Sequence, residues 1–435
     1  MSTEVETPAA ARSGRTTAGS LGGSLIVSIG LGYVLTVACQ RLLPPHEYVV
    51  FLTYWGLVMG LGSTLSPLEQ ELSRQSAVAA LAGGKAGRPA LRAVAVGVVV
   101  AAAFSLCLLI PPVNERLFDG DWSLALVVLA GGVAFACQFG ARGLLIGQHK
   151  VKAFSLLVVA EPTVRALILG VLFVSVAYNI TSLAIAVAAG SFAWLLFAKP
   201  VRQLLDPHVE GDGWGVTNRR MGMLLVGAAL TAAVITGYPA LVGLLAPGGD
   251  RDQVGALFAA LVIARLPLTL IGPVQSLAVP FVVRLSVTEE GRHRLRRVLA
   301  LGTVAALVLA ALGALVGMWL GPWAVRFVSG PRYDQVQGWW VAGLVWSSVL
   351  LVPMQLLTAV LVARTQAKLV LVTWAVVTGT ASLLLVLLPG DTVFRAVVAL
   401  AAAPTLGLAV VLAFVLRRAP ESAAVTTSDT GETSS

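Results

Sequence analysis

Charge is what this sequence has least of. Only 12% of its 435 residues are Asp, Glu, Lys or Arg, against 57% hydrophobic. A soluble domain carries about a quarter charged residues, so the shortage excludes an ordinary soluble fold and leaves a polytopic membrane protein. Cysteine is scarce as well. Cys39, Cys107 and Cys137 each fall inside an apolar run, with no CxxC motif and no disulfide framework. The four histidines, His46, His149, His208 and His293, sit in separate loops. No metal cluster is legible, and no cofactor is expected. The polar start, MSTEVETPAAARSGR, has no short apolar core followed by a cleavage site. The first apolar run is therefore expected to be a retained span rather than a signal peptide.

What is present is a series of apolar runs of spanning length, about 20 residues each. They fall near 19–40, 48–72, 92–111, 122–146, 152–176, 181–199, 220–245, 252–283, 298–321, 337–362, 367–388 and 394–416. Twelve spans are expected in an all-α integral membrane protein. Residues 1–17 and 419–435 read as disordered ends, 18–199 as an N-lobe of spans 1–6, and 220–418 as a C-lobe of spans 7–12. Residues 200–219 form the polar connection between them, expected in the cytoplasm.

The basic residues supply an orientation. With both termini cytoplasmic, 22 of the 30 Lys and Arg residues fall on the inner side. Six fall outside, Arg41, Arg116, Arg251, Arg326, Arg332 and Arg395, and two lie in mid-span, Arg165 and Arg265. Cytoplasmic loops carry such an excess. The formal charge of +9 thus reflects topology and anionic membrane lipids rather than nucleic acid. Trp122, Trp323, Trp339 and Trp340 lie near span ends, as an interfacial belt requires.

A weak repeat relates the halves. LLIGQHKVKAFSLLVV joins spans 4 and 5, and VLVARTQAKLVLVTWAV joins spans 10 and 11. SPLEQELSR closes span 2, and GPVQSLAVPFVVR lies in span 8. Such internal symmetry is common in transporters.

The stretch Asp252 to Arg297 draws most attention. It carries Arg265 in an apolar run, then Pro267, Pro273 and Pro280, then Arg292, Arg294, Arg296 and Arg297. A charge in hydrocarbon needs a partner or a wet cavity, and prolines free backbone groups that must be re-satisfied. A broken, cavity-lining helix is expected. Arg265 is either a phosphate-matching fork or a structural cation on freed carbonyls. Gln275 is either a donor to substrate or a bond to a neighbouring helix. Glu161 and Arg165 share one helix face near mid-membrane. The simpler expectation for them is a pair that neutralises itself, so that replacing both costs little; the alternative is a cavity-facing coupling pair. Glu69, Glu71 and Arg74 are expected in the inner headgroup zone, as solvated charge or as a gate between lobes.

The first hairpin, SIGLGYVLTVACQRLLPPHEYVVFLTYWG, the GQHKVKAF turn and the two six-span halves carry a resemblance. They resemble the multidrug/oligosaccharidyl-lipid/polysaccharide exporter superfamily, and within it the polysaccharide biosynthesis flippases. The resemblance implies two bundles around a V-shaped central cavity that opens to each side in turn. It also implies a cationic cavity receiving a polyprenyl-pyrophosphate-linked sugar, with Arg265, Arg165 and Gln275 as binding candidates. Drug/cation antiporters of that superfamily have acidic residues in spans 1 and 7; the apolar bodies of these spans here have none.

The expectation is therefore a bacterial cell-membrane flippase for a lipid-linked oligosaccharide or cell-wall lipid precursor, not an enzyme. Its expected partners are that glycan substrate, anionic lipids, and the glycan polymerase and glycosyltransferases of the same pathway. A cation-coupled multidrug exporter is the transport alternative. A membrane glycosyltransferase or polymerase is the enzymatic one, and it normally needs a larger outer loop than any legible here.

Overall fold

The computed structural model describes residues 8–175, 178–210, 213–269, 289–363 and 366–416. Among the described residues the chain is helical throughout, apart from one isolated bridge between Ala86 and Leu205. Among the described residues nine helices are long and apolar enough to cross a membrane, and Thr217–Ile235 with Tyr238–Leu245, bent by 78°, makes up to a tenth when counted as one span. Two expected spans fall short of that measure for visible reasons. Span 1 is the apolar end, Ile26–Leu42, of a helix that begins at Pro8. Span 8 is described only as Arg251–Ala264 and the short helix Leu266–Thr269. Its continuation, with Pro273, Gln275, Pro280 and Arg284, lies outside the described residues. The architecture is the expected one of twelve spans in two six-helix lobes.

Local chemistry sets the helix ends. Pro45, Pro67 and Pro111 open helices at the position where a missing N–H is harmless. Asp121 caps span 4 by accepting from the Ser123 N–H, and Asn179 and Ser182 cap span 6 reciprocally. Span 2 breaks at Ser66, just before Pro67, into Pro45–Leu65 and Pro67–Leu81. Span 7 breaks between Ile235 and Tyr238, next to Gly237 and Pro239. Span 6 passes at Gly190 from α-helix to a 3-10 stretch, Gly190–Phe197.

Two boundaries and the place of one cation differ from expectation. The turn after span 3 contains a helix, Pro111–Phe118, ended by Asp119 in the left-handed region (φ 56°). The helix of span 9 runs from Glu289 to Ser329, past Pro322, and so carries Trp323 and Arg326 with it. Arg142 is not a loop cation: it lies inside the span 4 helix, Trp122–Gly147.

Each lobe is tied internally by a buried tyrosine. The Tyr54 hydroxyl of span 2 donates to the Ala184 carbonyl of span 6 at 2.8 Å, and Tyr238 of span 7 donates to Ala396 of span 12 at 2.6 Å. The lobes meet where small residues let helices close up. A Cβ placed on Gly56 of span 2 would lie 2.7 Å from the Thr236 carbonyl at the break in span 7. One placed on Gly255 of span 8 would lie 2.2 Å from the Pro45 carbonyl.

The turns segregate onto two faces. On the face of the inter-lobe linker, the Ala86 N–H donates to Leu205's neighbour Leu204 at 3.0 Å, and Arg88 donates to the Pro207 carbonyl at 2.9 Å. On the opposite face the lobes are joined by side chains. Asp119 pairs with Arg251, and His46 lies 3.5 Å from Asp252. The Tyr333 hydroxyl donates to the Gln40 and Leu43 carbonyls at 2.9 and 3.1 Å. Burial pushes the Tyr333 phenol above its ordinary pKa, with nearby Arg332 opposing, so it remains a donor.

Candidate functional site

Among the described residues, two polar features of the interior carry charge between spans. The first is a cavity of about 420 Å³ between the lobes. Span 1 contributes Tyr33 and Thr36, span 2 Trp55 and Met59, and the far side carries Arg265 and Gln355. Arg265 is the only formally charged residue among the described lining. It sits at the break of span 8, between Ala264 and Leu266. Its Nη2 donates to the Val234 carbonyl of span 7 at 3.0 Å.

That carbonyl is available for a local reason. At the break, the N–H groups of Thr236 and Gly237 both turn back to the Ala232 carbonyl. Val234 is thus left where helical hydrogen bonding stops, and Arg265 reaches it across the helix pair. One arm of the fork stitches a freed carbonyl, while the residue lines the cavity. Among the described residues no carboxylate pairs with it.

A second cavity, of about 380 Å³, adjoins this one and shares Gly56 with it. Leu57, Phe104, Leu117, Leu241 and Leu244 line it, so its walls are hydrocarbon. Two neighbouring spaces, one carrying the Arg265 cation and one walled by hydrocarbon, thus meet at the seam between span 2 and span 7.

The second polar feature is a charge cluster inside the N-lobe. Glu161 and Arg165, on span 5, are 9% and 5% exposed. They form the expected pair at 2.5 Å, but the pair is not self-contained. The other Glu161 oxygen accepts from Arg142 at 2.7 Å and from Gln138 at 2.5 Å. Arg142 in turn lies 4.0 Å from Glu69. Two carboxylates and two guanidiniums thus make a neutral chain across spans 2, 4 and 5.

Span 4 builds one wall of this cluster from a single face. Phe135, Gln138, Phe139 and Arg142 follow the i, i+3, i+4, i+7 spacing of one helical stripe. The Arg165 guanidinium lies over the Phe135 ring at 5.8 Å, and that of Arg142 over Phe139 at 5.4 Å. The opposite wall is Gly190, where a Cβ would lie 2.4 Å from Arg165 Nε and 2.8 Å from the Glu161 carbonyl. Any side chain there would displace the arginine. Arg165 Nε also donates to the Val187 carbonyl at 2.9 Å, just before span 6 changes helix type.

The other expected site residues fall as follows. Glu71 is buried, 7% exposed, and is held by Arg74 at 2.7 Å and Gln75 at 2.9 Å. It is therefore not solvated headgroup charge. Glu69 is partly buried beside Arg142. Arg165 faces the cluster and not the Arg265 cavity; Met59, which its Nη1 approaches at 3.8 Å, stands between. Gln275 lies outside the described residues. Sequence reasoning missed Gln138, Arg142 and Gly190. The stripe 135/138/139/142 was the legible signal for the first two.

No protein-family model matches the sequence. Relatives include an uncharacterized protein of Mycobacterium tuberculosis, 28% identical, with 92% of this chain and 93% of that protein covered. Another is an uncharacterized protein of Mycobacterium bovis, 26% identical over 91% of each chain. Solved structures agree on architecture. An inward-facing multidrug resistance MATE family transporter of the MOP superfamily superposes with a TM-score of 0.62. It is 13% identical, over 90% of this chain and 98% of that one. An outward-facing MATE transporter gives 0.58 at 15% identity, over 92% and 94%. A MOP superfamily transporter from Pyrococcus furiosus, described as having a binding pocket of reverse polarity, gives 0.56 at 15% identity, over 92% and 95%. The chain has the fold of the MATE transporters of the MOP superfamily.

Proposed function

We propose that the chain is an alternating-access membrane exporter whose cargo is an anionic amphipath, a lipid-linked oligosaccharide or cell-wall lipid precursor. One observation carries this reading: the inter-lobe cavity has a single formal charge on its described lining, and that charge is the Arg265 cation. A phosphate entering from water loses hydrogen bonds, and a guanidinium held at the wall replaces them with paired, charge-assisted donors. The adjoining hydrocarbon-walled cavity supports an amphipath over a compact hydrophilic solute. The links between Asp119 and Arg251 and around Tyr333 correspond to a state with one face shut. The excess of cations on the linker side supports taking that face as the outer one.

The rival is a multidrug exporter, the stated role of the MATE transporters that share the fold. A cationic drug calls for a carboxylate in the cavity, and the described lining supplies an arginine instead. The Pyrococcus furiosus transporter, described as reversed in pocket polarity and suggested to differ in function, is a precedent for that distinction.

The test is flipping of a fluorescent polyprenyl-pyrophosphate sugar in reconstituted vesicles at matched insertion. Arg265→Lys is expected to retain part of the rate, because a lysine serves only as a point charge. Arg265→Ala and Arg265→Glu are expected to abolish it. Normal flipping by Arg265→Ala would return this arginine to a purely structural role on the Val234 carbonyl. Efflux of a cationic dye with no flipping would favour the drug exporter.

A further inference from the structure

The six basic residues on the face opposite the linker are not alike. Arg251 is paired with Asp119, Arg116 donates to the Leu244 carbonyl at 3.2 Å, and Arg395 donates to the Gly390 carbonyl at 3.0 Å. The remaining three, Arg41, Arg326 and Arg332, line one pocket of about 720 Å³ beside the end of span 9. Among the described residues none of the three has an acidic partner. Like charges gather this way at a cost unless something anionic joins them.

The end of a helix would itself repel an anion, because the last carbonyls carry partial negative charge. Here that field is already met. Arg41 reaches across from the N-lobe and donates to the Val328 and Phe327 carbonyls at 2.6 and 2.8 Å. Arg326 and Arg332 are exposed, and their charge is left over.

The pocket also has an aromatic ledge. Trp323 and Phe327 stack at 5.4 Å, and they are 65% and 66% exposed. Both lie on the face of span 9 that also shows Trp319. Exposed indole and phenyl rings in a row at a span end belong at the level of lipid headgroups. A soluble anion would need the cations but not the ledge.

We infer that this pocket is a binding site for the phosphate headgroup of an anionic membrane lipid on that face. Arg326 and Arg332 take the phosphate, and Trp323 and Phe327 lie along the upper part of its chains. The site is separate from the Arg265 cavity and does not depend on what that cavity carries. It joins the lobes, since Arg41 belongs to one and the other residues to the second. A lipid bound there therefore favours the state in which this face is shut, and that state binds the lipid more tightly in return.

The full-length protein is purified and loaded with defined lipid, either phosphatidylglycerol or phosphatidylcholine, and retained lipid is counted by native mass spectrometry. The wild type is expected to hold one phosphatidylglycerol in preference to phosphatidylcholine. The Arg326→Gln/Arg332→Gln variant is expected to weaken that binding about thirtyfold, from two surface cations lost. Both side chains are exposed, so folding is expected to survive, and Arg326→Lys/Arg332→Lys should restore most of the preference. Phosphatidylglycerol should raise the thermal midpoint of the wild type and not that of the glutamine variant. Equal retention of the two lipids by the wild type, or unchanged retention by the glutamine variant, overturns the inference. So does an equal rise in midpoint with soluble glycerol phosphate, which would make the site one for a free anion.

Discussion

Replacing Glu161 with Gln tests whether the N-lobe cluster is a network or a pair. Two guanidiniums and one amide converge on that carboxylate. Glu161→Gln removes its charge and leaves Arg165 and Arg142, with side chains 6% and 12% exposed, facing only Glu69 at 4.0 Å from Arg142. Breaking a buried pair from one side costs ~3–5 kcal/mol. An uncompensated charge in mid-membrane costs ~2.5–3.5 kcal/mol on insertion scales. The two figures agree on a loss of about 3 kcal/mol.

Arg165→Met should cost less. Glu161 keeps Arg142 and Gln138, so the loss is one charge-assisted bond, ~1.5–3 kcal/mol, together with the neutral bond from Nε to the Val187 carbonyl. A self-contained i, i+4 pair predicts equal costs for the two single changes and a nearly neutral double. The network predicts unequal costs. Its double variant is milder than the sum but still impaired, because Arg142 has lost its 2.7 Å partner. The assay is the thermal midpoint of each purified variant in one lipid, with inserted amount recorded alongside. Equal single-variant losses with a neutral double would refute the network and restore the isolated pair. Strict additivity would refute any coupling at all.

Gly190→Ala should destabilise by ~1–3 kcal/mol, as overpacking does, because its Cβ would lie 2.4 Å from Arg165 Nε. Arg165→Met in the same chain should relieve part of that loss in the same melting assay. Asp119→Ala should cost less than ~1 kcal/mol of stability, since the Arg251 pair is exposed on both sides; a larger loss in midpoint would make that pair a structural clamp. Gly84→Cys and Thr427→Cys should react with an impermeant thiol reagent only after the inner face is opened. Labelling of either in intact cells would overturn the expected orientation.

The fold was legible because apolar runs of spanning length and a one-sided distribution of cations are properties of the sequence itself. Even the kinked second helix was foreseeable, since Pro67 cannot supply the hydrogen bond that would continue Pro45–Leu65. The break in span 8 at Arg265, before Pro267, repeats this device in the other lobe. The tight turns seen as a repeat also share geometry. Lys150 N–H closes on the Leu145 carbonyl and Gln366 N–H on Leu361, each at 2.9 Å. The cluster was less legible. Glu161 and Arg165 announce each other along one helix, but Arg142 lies close to a basic turn and counts there as topology. Only tertiary packing shows that its guanidinium turns inward over Phe139. The pocket beside span 9 was hidden by a boundary: with span 9 ending near 321, Arg326 reads as loop charge, whereas the helix continues to Ser329.

The two mid-span arginines separate on the use of their donors. A guanidinium has five N–H groups on three nitrogens. In Arg165 every nitrogen is engaged: Nε with the Val187 carbonyl, Nη1 with Met59 sulfur, Nη2 with Glu161. Its charge is cancelled within the lobe, so it presents no unpaired cation to a ligand. In Arg265 only Nη2 has a described acceptor, the Val234 carbonyl. A carbonyl solvates a cation but does not cancel it. The protein therefore keeps a positive charge at the wall of its central cavity without a described counter-ion, next to a space lined by hydrocarbon. Intramembrane charge left in that condition is expensive, and the ligand that relieves the expense brings an anion and an apolar body together. That pairing, more than the helix count, argues for a lipid-borne phosphate as cargo.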